Sequence, residues 1–205
     1  MQIINLFPGS YNSNCYILVH KGEALVIDPS ASAKSILARV QQEGATLKGI
    51  LLTHGHFDHI VSIDKLRRAC PVPLMIHKED AEMLQDGIKN AFSLFFGQDI
   101  SYAPAEHLLE NGDKISLGGT DIEVVHLPGH SKGSVCYYLP SENAMFTGDL
   151  LFAEGYGRAD LHGGNAFQLR TSLCALRQFP KNITIYPGHG DPSPLGRALD
   201  VAFYL

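Results

Sequence analysis

The sequence predicts an α/β protein, more narrowly α+β, with a four-layer αββα sandwich: two mixed sheets face to face and helices outside. Three observations carry that expectation. Strand-type runs occur in two groups, each group gives way to helical periodicity, and no Gly-, Ser- or Pro-rich linker or block of like charge divides the chain, so residues 1–205 should form a single domain. A length of 205 residues at 45% hydrophobic content supplies a sizeable core.

The opening runs "QIINLF", "NCYILVH" and "EALVIDPS" are separated by Gly and polar turn residues, which predicts an antiparallel meander. From Ser32 the period changes. "SAKSILARVQQEG" places Ala33, Ile36, Leu37 and Val40 on one helical stripe, and Gly44 is positioned to stop it. "LKGILLT" is a continuous apolar run of strand length, as expected for a strand covered on both faces. A second helix should begin near His59, "VPLMIH" should be a strand, and Lys78 to Phe96 reads as helical with a break around Asp86 to Asn90. The aromatic "AFSLFFG" end of that segment has the composition of a cleft wall, but core packing or a contact with a second copy is the first expectation. The order then repeats. "DKISLGGTDIEVVHLP" reads as a hairpin, "GSVCYYLP" and "NAMFTGDL" as two strands, "NAFQLRTSLCALRQF" as a helix with Asn165 and Gln168 in capping-box positions, and "NITIYPGHG" as a last strand and loop.

A formal net charge of -5 without any run of lysine or arginine leaves no electrostatic footprint for a phosphate backbone, which argues against nucleic acid as a partner. Cys15, Cys70, Cys136 and Cys174 stand singly in apolar segments, so buried free thiols in a reducing compartment are expected. "MQIINLFPGS" lacks a charged n-region, and no apolar run reaches membrane-spanning length, so the expectation is a cytoplasmic protein with no membrane partner.

"THGHFDH", Thr53–His59, places three imidazoles and a carboxylate directly after "LKGILL". Packing does not require them. In extended backbone His54 and His56 point to the same side and can grip one ion together, while Asp58 and His59 lie where the chain turns toward a helix and can face a second position. Imidazole and carboxylate are ligand types that suit zinc, iron and manganese. Partners occur in equivalent places: His130 in "LPGHSKGS", Asp149 in "MFTGDLLF" and His189 in "IYPGHGD", each where an apolar strand gives way to a Gly-containing loop. Loops at one edge of a rigid sandwich can converge such side chains. His20, His77, His107, His126 and His162 are isolated and are expected to be surface or satisfied core residues.

Together "THGHFDH", "GHSKGS", "TGDLLF" and "YPGHG" resemble the motifs of the metallo-β-lactamase-fold hydrolases, and most of all the glyoxalase II group, the hydroxyacylglutathione hydrolases. The resemblance covers nearly the whole chain in the family's order. Position by position it implies the metallo-β-lactamase fold, with His54, His56 and His130 holding one metal, Asp58, His59 and His189 the other, and Asp149 bridging them. Two divalent ions per chain are implied, zinc foremost, with iron or manganese as alternatives. Such ions, about 3.5 to 4 Å apart, share a water whose pKa falls from near 16 to around neutrality. The resulting hydroxide is the expected nucleophile, with Asp58 as the catalytic residue that steers it and relays its proton. Serine catalysis competes poorly, because no GxSxG elbow is present. Asp28, ending "ALVIDPS", is placed either to accept the free N–H of a ligand imidazole or simply to form the turn before Pro29. Gly129 and Gly188, just before ligands, should permit close backbone approach.

The resemblance implies a small-molecule thioester substrate such as S-D-lactoylglutathione. Asp149 argues against an antibiotic-degrading enzyme, His56 against a flavodiiron protein, and the lack of a basic face against RNA processing. A mononuclear-iron persulfide dioxygenase, for which His54, His130 and Asp149 would suffice, is the alternative from another reaction class; a lactonase of the same fold is another. Full-length glyoxalase II enzymes append a C-terminal helical region that supplies much of the glutathione contact, whereas "DPSPLGRALDVAFYL" closes this sequence, so a short, open-sited form is expected. Arg158 in "GYGR" and Lys132 beside His130 are the candidate substrate-binding cations, or else ordinary surface charges.

Overall fold

A computed structural model describes residues 1–204. The first sheet opens with the antiparallel strands β1 (Gln2–Asn5), β2 (Tyr16–His20) and β3 (Glu23–Ile27). Helix α1 (Ala33–Gln42) follows, started by Ser32, whose Oγ accepts the N–H of Ser35, and stopped where Gly44 turns left-handed. Strand β4 (Thr46–Leu51) leads through α2 (Phe57–Ile60) and α3 (Ile63–Ala69) to β5 (Leu74–His77), then through 3-10 turns over Lys78–Gln85 and the short α4 (Phe92–Phe96) to β6 (His107–Leu109). The sheet order is β1-β2-β3-β4-β5-β6, with β3 through β6 parallel.

The second sheet is built from β7 (Lys114–Leu117), β8 (Thr120–His126), β9 (Val135–Leu139) and β10 (Ala144–Gly148). The small hairpin β11 (Leu151–Phe152) and β12 (Gly155–Tyr156) leads to α5 (Ala166–Ala175), after which β13 (Thr184–Pro187) and β14 (Ser193–Pro194) complete the sheet and α6 (Leu195–Tyr204) packs on it. Its order is β14-β13-β10-β9-β8-β7. Since β9 is antiparallel to both β8 and β10, and β13 is parallel to β10, the C-terminal ends of β8, β10 and β13 lie at one edge.

Strand alternation sorts the side chains into layers. Leu51 joins Tyr16, Leu18, Leu25, Tyr137 and Phe146 between the sheets, while its neighbours Ile50 and Leu52 face outward to α1 and α3 with Ile36, Val40 and Leu66. A third cluster on the outer face of the second sheet joins Met145 and Ile185 to Leu169, Leu173 and Leu199 of α5 and α6. Tyr137 is fully buried yet satisfied, its hydroxyl donating to the carbonyl of Leu52 at 2.7 Å and tying the sheets together beside the HxH loop. Truncating a ring such as Phe146 in this layer would cost about 3–5 kcal/mol. The result is the αββα sandwich expected.

Several local expectations are corrected. The second helix begins at Phe57, so Asp58 and His59 occupy its first turn, and it breaks before α3. Gln168 completes half of its capping box: Asn165 Oδ1 accepts the Gln168 N–H, but the Asn165 N–H goes to the carbonyl of Gly129. That substitution ties α5 to the loop carrying His130. Leu94, Phe95 and Phe96 of "AFSLFFG" are exposed rather than core. Cys15 and Cys136 are buried free thiols, but Cys174 is exposed on α5, a helix with one wet face, and Cys70, the extended residue that ends α3, is only partly covered. No helix among the described residues is long and apolar enough to cross a membrane.

Candidate metal centre

The side chains singled out in "THGHFDH" follow β4, and the remaining three follow β8, β10 and β13. All seven therefore meet at the strand-end edge, where loops can aim polar groups without interrupting either sheet. They form three overlapping groups: His54, His56 and His130; His54, His59 and Asp149; and Asp58, His59 and His189, each group with one ligand atom per residue within 4.8 Å of the others.

Hydrogen bonding around the rim fixes which nitrogen four of the five imidazoles, those of His54, His59, His130 and His189, turn inward. His130 Nδ1 donates to the Arg158 carbonyl at 2.8 Å, leaving a lone pair on Nε2. Thr53 Oγ1 donates to Asp28 Oδ2 at 2.6 Å and so accepts from His54 Nδ1 at 3.1 Å, leaving a lone pair on His54 Nε2 as well. These two Nε2 atoms face each other at 3.2 Å, and His56 Nδ1 stands 2.8 Å from the same His130 nitrogen. Lone pairs at that separation repel unless positive charge lies among them.

The other half shows the same demand in carboxylates. His59 Nδ1 donates to Asp28 Oδ2 at 3.1 Å, which turns Nε2 to within 3.4 Å of both Asp58 Oδ2 and Asp149 Oδ1. His189 Nδ1 donates to the Asn12 carbonyl at 3.1 Å and turns Nε2 to 3.1 Å from Asp58 Oδ2. Asp149 Oδ2 lies 3.7 Å from His130 and 3.6 Å from His189, so this carboxylate spans the two halves. His56 Nε2, His59 Nε2 and Asp149 Oδ1 are buried without a hydrogen-bond partner. His59 Nε2 and Asp149 Oδ1 are orphaned side by side, and with the nitrogens of His54, His56 and His130 they make a donor set suited to divalent cations.

Electrostatics separate the halves. Burial, reinforced by neighbouring imidazoles, holds His54 well below its ordinary value and His56 down at about 3. Burial also opposes charge on His59, but Asp58 and Asp149 outweigh it and hold this imidazole well above its ordinary value. Burial would raise both carboxyls; His59 beside them instead pulls Asp149 down to about 2 and Asp58 well below the carboxylate range. One half thus presents neutral nitrogen and the other ionised oxygen.

The remaining candidates divide. Asp28 sits at the end of β3 in left-handed backbone, and besides His59 its carboxylate accepts the Thr53 N–H at 2.8 Å; it serves both the turn and the imidazole. Arg158 lines the cleft above the cluster, but its guanidinium grips Asp160 through two bonds of 2.6 and 2.8 Å. Lys132 lines a different groove, with His77 and His126, whose rings stack at 3.9 Å. His162 stands 3.4 Å from Glu82, and His107 lies exposed in β6. A Cβ on Gly188 would strike Asp149 Oδ1 and His59, whereas one on Gly129 would strike the backbone of Leu169 in α5, so the second glycine serves packing rather than the cluster.

Sequence reasoning passed over three residues. Ser13 donates to Asp58 Oδ2 at 2.9 Å. Asn14 ties the first loop to the last by donating to the carbonyls of Pro187 and Gly190 at 2.9 and 2.8 Å. Asp80, buried after β5, accepts from Gly55 N (3.2 Å), Ser131 Oγ (2.6 Å) and Gly133 N (2.6 Å), stapling the loop of His54 and His56 to that of His130. Its neighbours in "HKED" give no sign of this, because the partners come from distant parts of the chain.

A family model, Metallo-beta-lactamase superfamily, matches residues 8–189. The chain is 35% identical over 89% of its length, and 87% of the relative's, to "Probable metallo-hydrolase YqgX" of Bacillus subtilis (strain 168). It is 29% identical to "Hydroxyacylglutathione hydrolase GloC" of Haemophilus influenzae, over 92% and 90% of the two chains. Among solved structures, BLEG-1 B3 metallo-beta-lactamase is similar at a TM-score of 0.91 and 35% identity, covering 97% of each chain. TTHA1623 in a di-iron-bound form is similar at a TM-score of 0.84 and 33% identity, covering 100% of both.

Proposed function

Because this chain belongs to the metallo-beta-lactamase superfamily, a family of metallo-hydrolases, we propose that it hydrolyses a thioester at a centre that takes two divalent cations. The observation that carries the proposal is the facing pair of lone-pair nitrogens on His54 and His130, beside the ionised carboxylates of Asp58 and Asp149. His54, His56 and His130 would hold one cation, Asp58, His59 and His189 the other, with Asp149 between them. Zinc, iron and manganese all suit these donors; the relative TTHA1623 is di-iron-bound. Bound there, the ions would supply Lewis acidity toward an acyl oxygen and a water made acidic near neutral pH.

The chain's own groups then have distinct tasks. Asp58, held by Ser13 and His189, orients that water and accepts its proton as the C–O bond forms. It returns the proton to the thiolate as the C–S bond breaks. Asp28 keeps His59 in one tautomer, and the Arg158 carbonyl does so for His130. The likeness to the hydroxyacylglutathione hydrolase of Haemophilus influenzae supports the thioester; the higher likeness to BLEG-1 supports β-lactam hydrolysis as a second reading.

The test is to reconstitute metal-free protein with zinc, iron or manganese and assay a thioester series, a lactone series and a chromogenic cephalosporin side by side, with oxygen uptake on a persulfide. Turnover of thioesters at least about a hundredfold above the other classes, a gap of about 2.7 kcal/mol in transition-state binding, is expected. Oxygen consumption with one iron per chain, or preference for the cephalosporin, would overturn it.

A further inference from the structure

The cleft above the candidate metal centre is about 270 Å³, below the roughly 300–1,000 Å³ of pockets that enclose a drug-sized ligand. It therefore encloses only one part of a substrate. Its floor is His56, Asp58, His130, Asp149 and His189; Phe57, Ala91, Phe95, Phe152 and Leu161 form an apolar wall, and Gly157 and Arg158 complete the lining. The apolar wall does not end at the mouth. Phe57 packs against Tyr11, Phe95 and Phe96 with ring centroids 5.0, 5.6 and 5.5 Å away, and these three rings remain 49%, 51% and 43% exposed. Half-exposed rings grouped around a cleft form a surface that gains by covering an apolar group.

Charge points the same way. Of the two candidate substrate-binding cations, Lys132 opens into another groove, and Arg158 is already paired with Asp160. Recruiting Arg158, which lines the cleft, to a substrate carboxylate would forfeit that bidentate pair with Asp160. Resting on the thioesterase reading above, we propose that the substrate presents an uncharged apolar group, aryl or a short acyl chain, to the Phe57–Phe95–Phe152 wall. Phe95 is the specificity-determining residue, and a polyanionic thiol carrier such as glutathione is disfavoured.

The test compares two non-hydrolysable thioethers by calorimetry on metal-loaded protein: S-(3-phenylpropyl)-N-acetylcysteamine and S-methylglutathione. The neutral aryl thioether should bind at least about tenfold more tightly, Phe95→Ala should remove most of that margin, and Phe95→Leu, which keeps apolar area, should retain it. Equal or tighter binding of S-methylglutathione, or a margin untouched by Phe95→Ala, overturns the proposal. A parallel assay uses the phenylacetyl thioester of N-acetylcysteamine. No hydrolysis with the binding margin intact would remove the thioesterase reading while upholding the apolar subsite.

Discussion

The Nε2 atoms of His54 and His130 face one another at 3.2 Å, each with its Nδ1–H already spent on an oxygen behind it. Two imidazoles that turn Nε2 on one another offer a cation between them a pair of nitrogen donors. Metal should therefore stabilise the fold, not merely occupy it. At a free zinc concentration a hundred times its Kd, the gain is about 2.7 kcal/mol, and the melting temperature should rise accordingly. Far-UV circular dichroism should hardly change on chelation, because none of the seven ligands belongs to the three apolar clusters that hold the layers together. Loss of helix and sheet signal with chelator would make the ions a structural requirement instead.

Asp58→Asn keeps the shape of the side chain and the Ser13 contact but removes the charge that faces His59 and His189. Steady-state kinetics on the best thioester should show kcat/KM lower by about 10²–10⁴-fold, with the fold intact. Undiminished turnover would show that another group handles the proton.

Asp28 adopts a left-handed φ of 50°, a conformation asparagine also tolerates, so Asp28→Asn leaves the turn undisturbed. The variant weakens the acceptor for His59 Nδ1 and for Thr53, which in turn orients His54. Competition with a metal indicator should report affinity about 10–100-fold weaker. An unchanged affinity would reduce Asp28 to its role in the turn.

Asp80→Ala removes a buried acceptor from Gly55, Ser131 and Gly133 at once. Urea unfolding should show a loss of about 3 kcal/mol or more, since three buried donors lose a charged partner. Because two of those donors flank His56 and His130, metal affinity should fall alongside.

His77, packed on His126, is pushed by burial from its ordinary 6.5 down to about 4, so it folds neutral. Its folded value lies below its unfolded one, hence the stability it contributes is complete above about pH 6.5 and drains away as the pH falls toward 4. Urea midpoints at pH 7.5 and pH 5 should therefore separate more widely in the natural protein than in His77→Phe. Equal separations would dismiss the effect.

What the sequence made visible was whatever depends on short-range pattern. The alternation of His54 and His56, the helical stripe that begins after Ser32 and the Gly44 stop each need only neighbouring residues, and α1 forms where that stripe predicts it. The helix α6, with Leu195, Ala198, Leu199 and Ala202 buried, has an apolar face that short-range pattern carries too, although the sequence expectation for the segment after His189 includes no helix. Strands β6 and β14 are held by a neighbouring strand rather than by their own composition. Asp80 and Asn14 act on loops far along the chain, and the pairing of Arg158 with Asp160 decides which way a cation points; spacing carries none of that.

Metal stoichiometry of reconstituted protein tests the central claim most directly. Metal-free chain titrated with zinc should bind two equivalents, and His130→Ala and His189→Ala should each abolish one of them while leaving the other measurable. Binding of a single ion unaffected by His189→Ala, or no tight binding at all, would contradict a paired-cation centre built from these seven side chains.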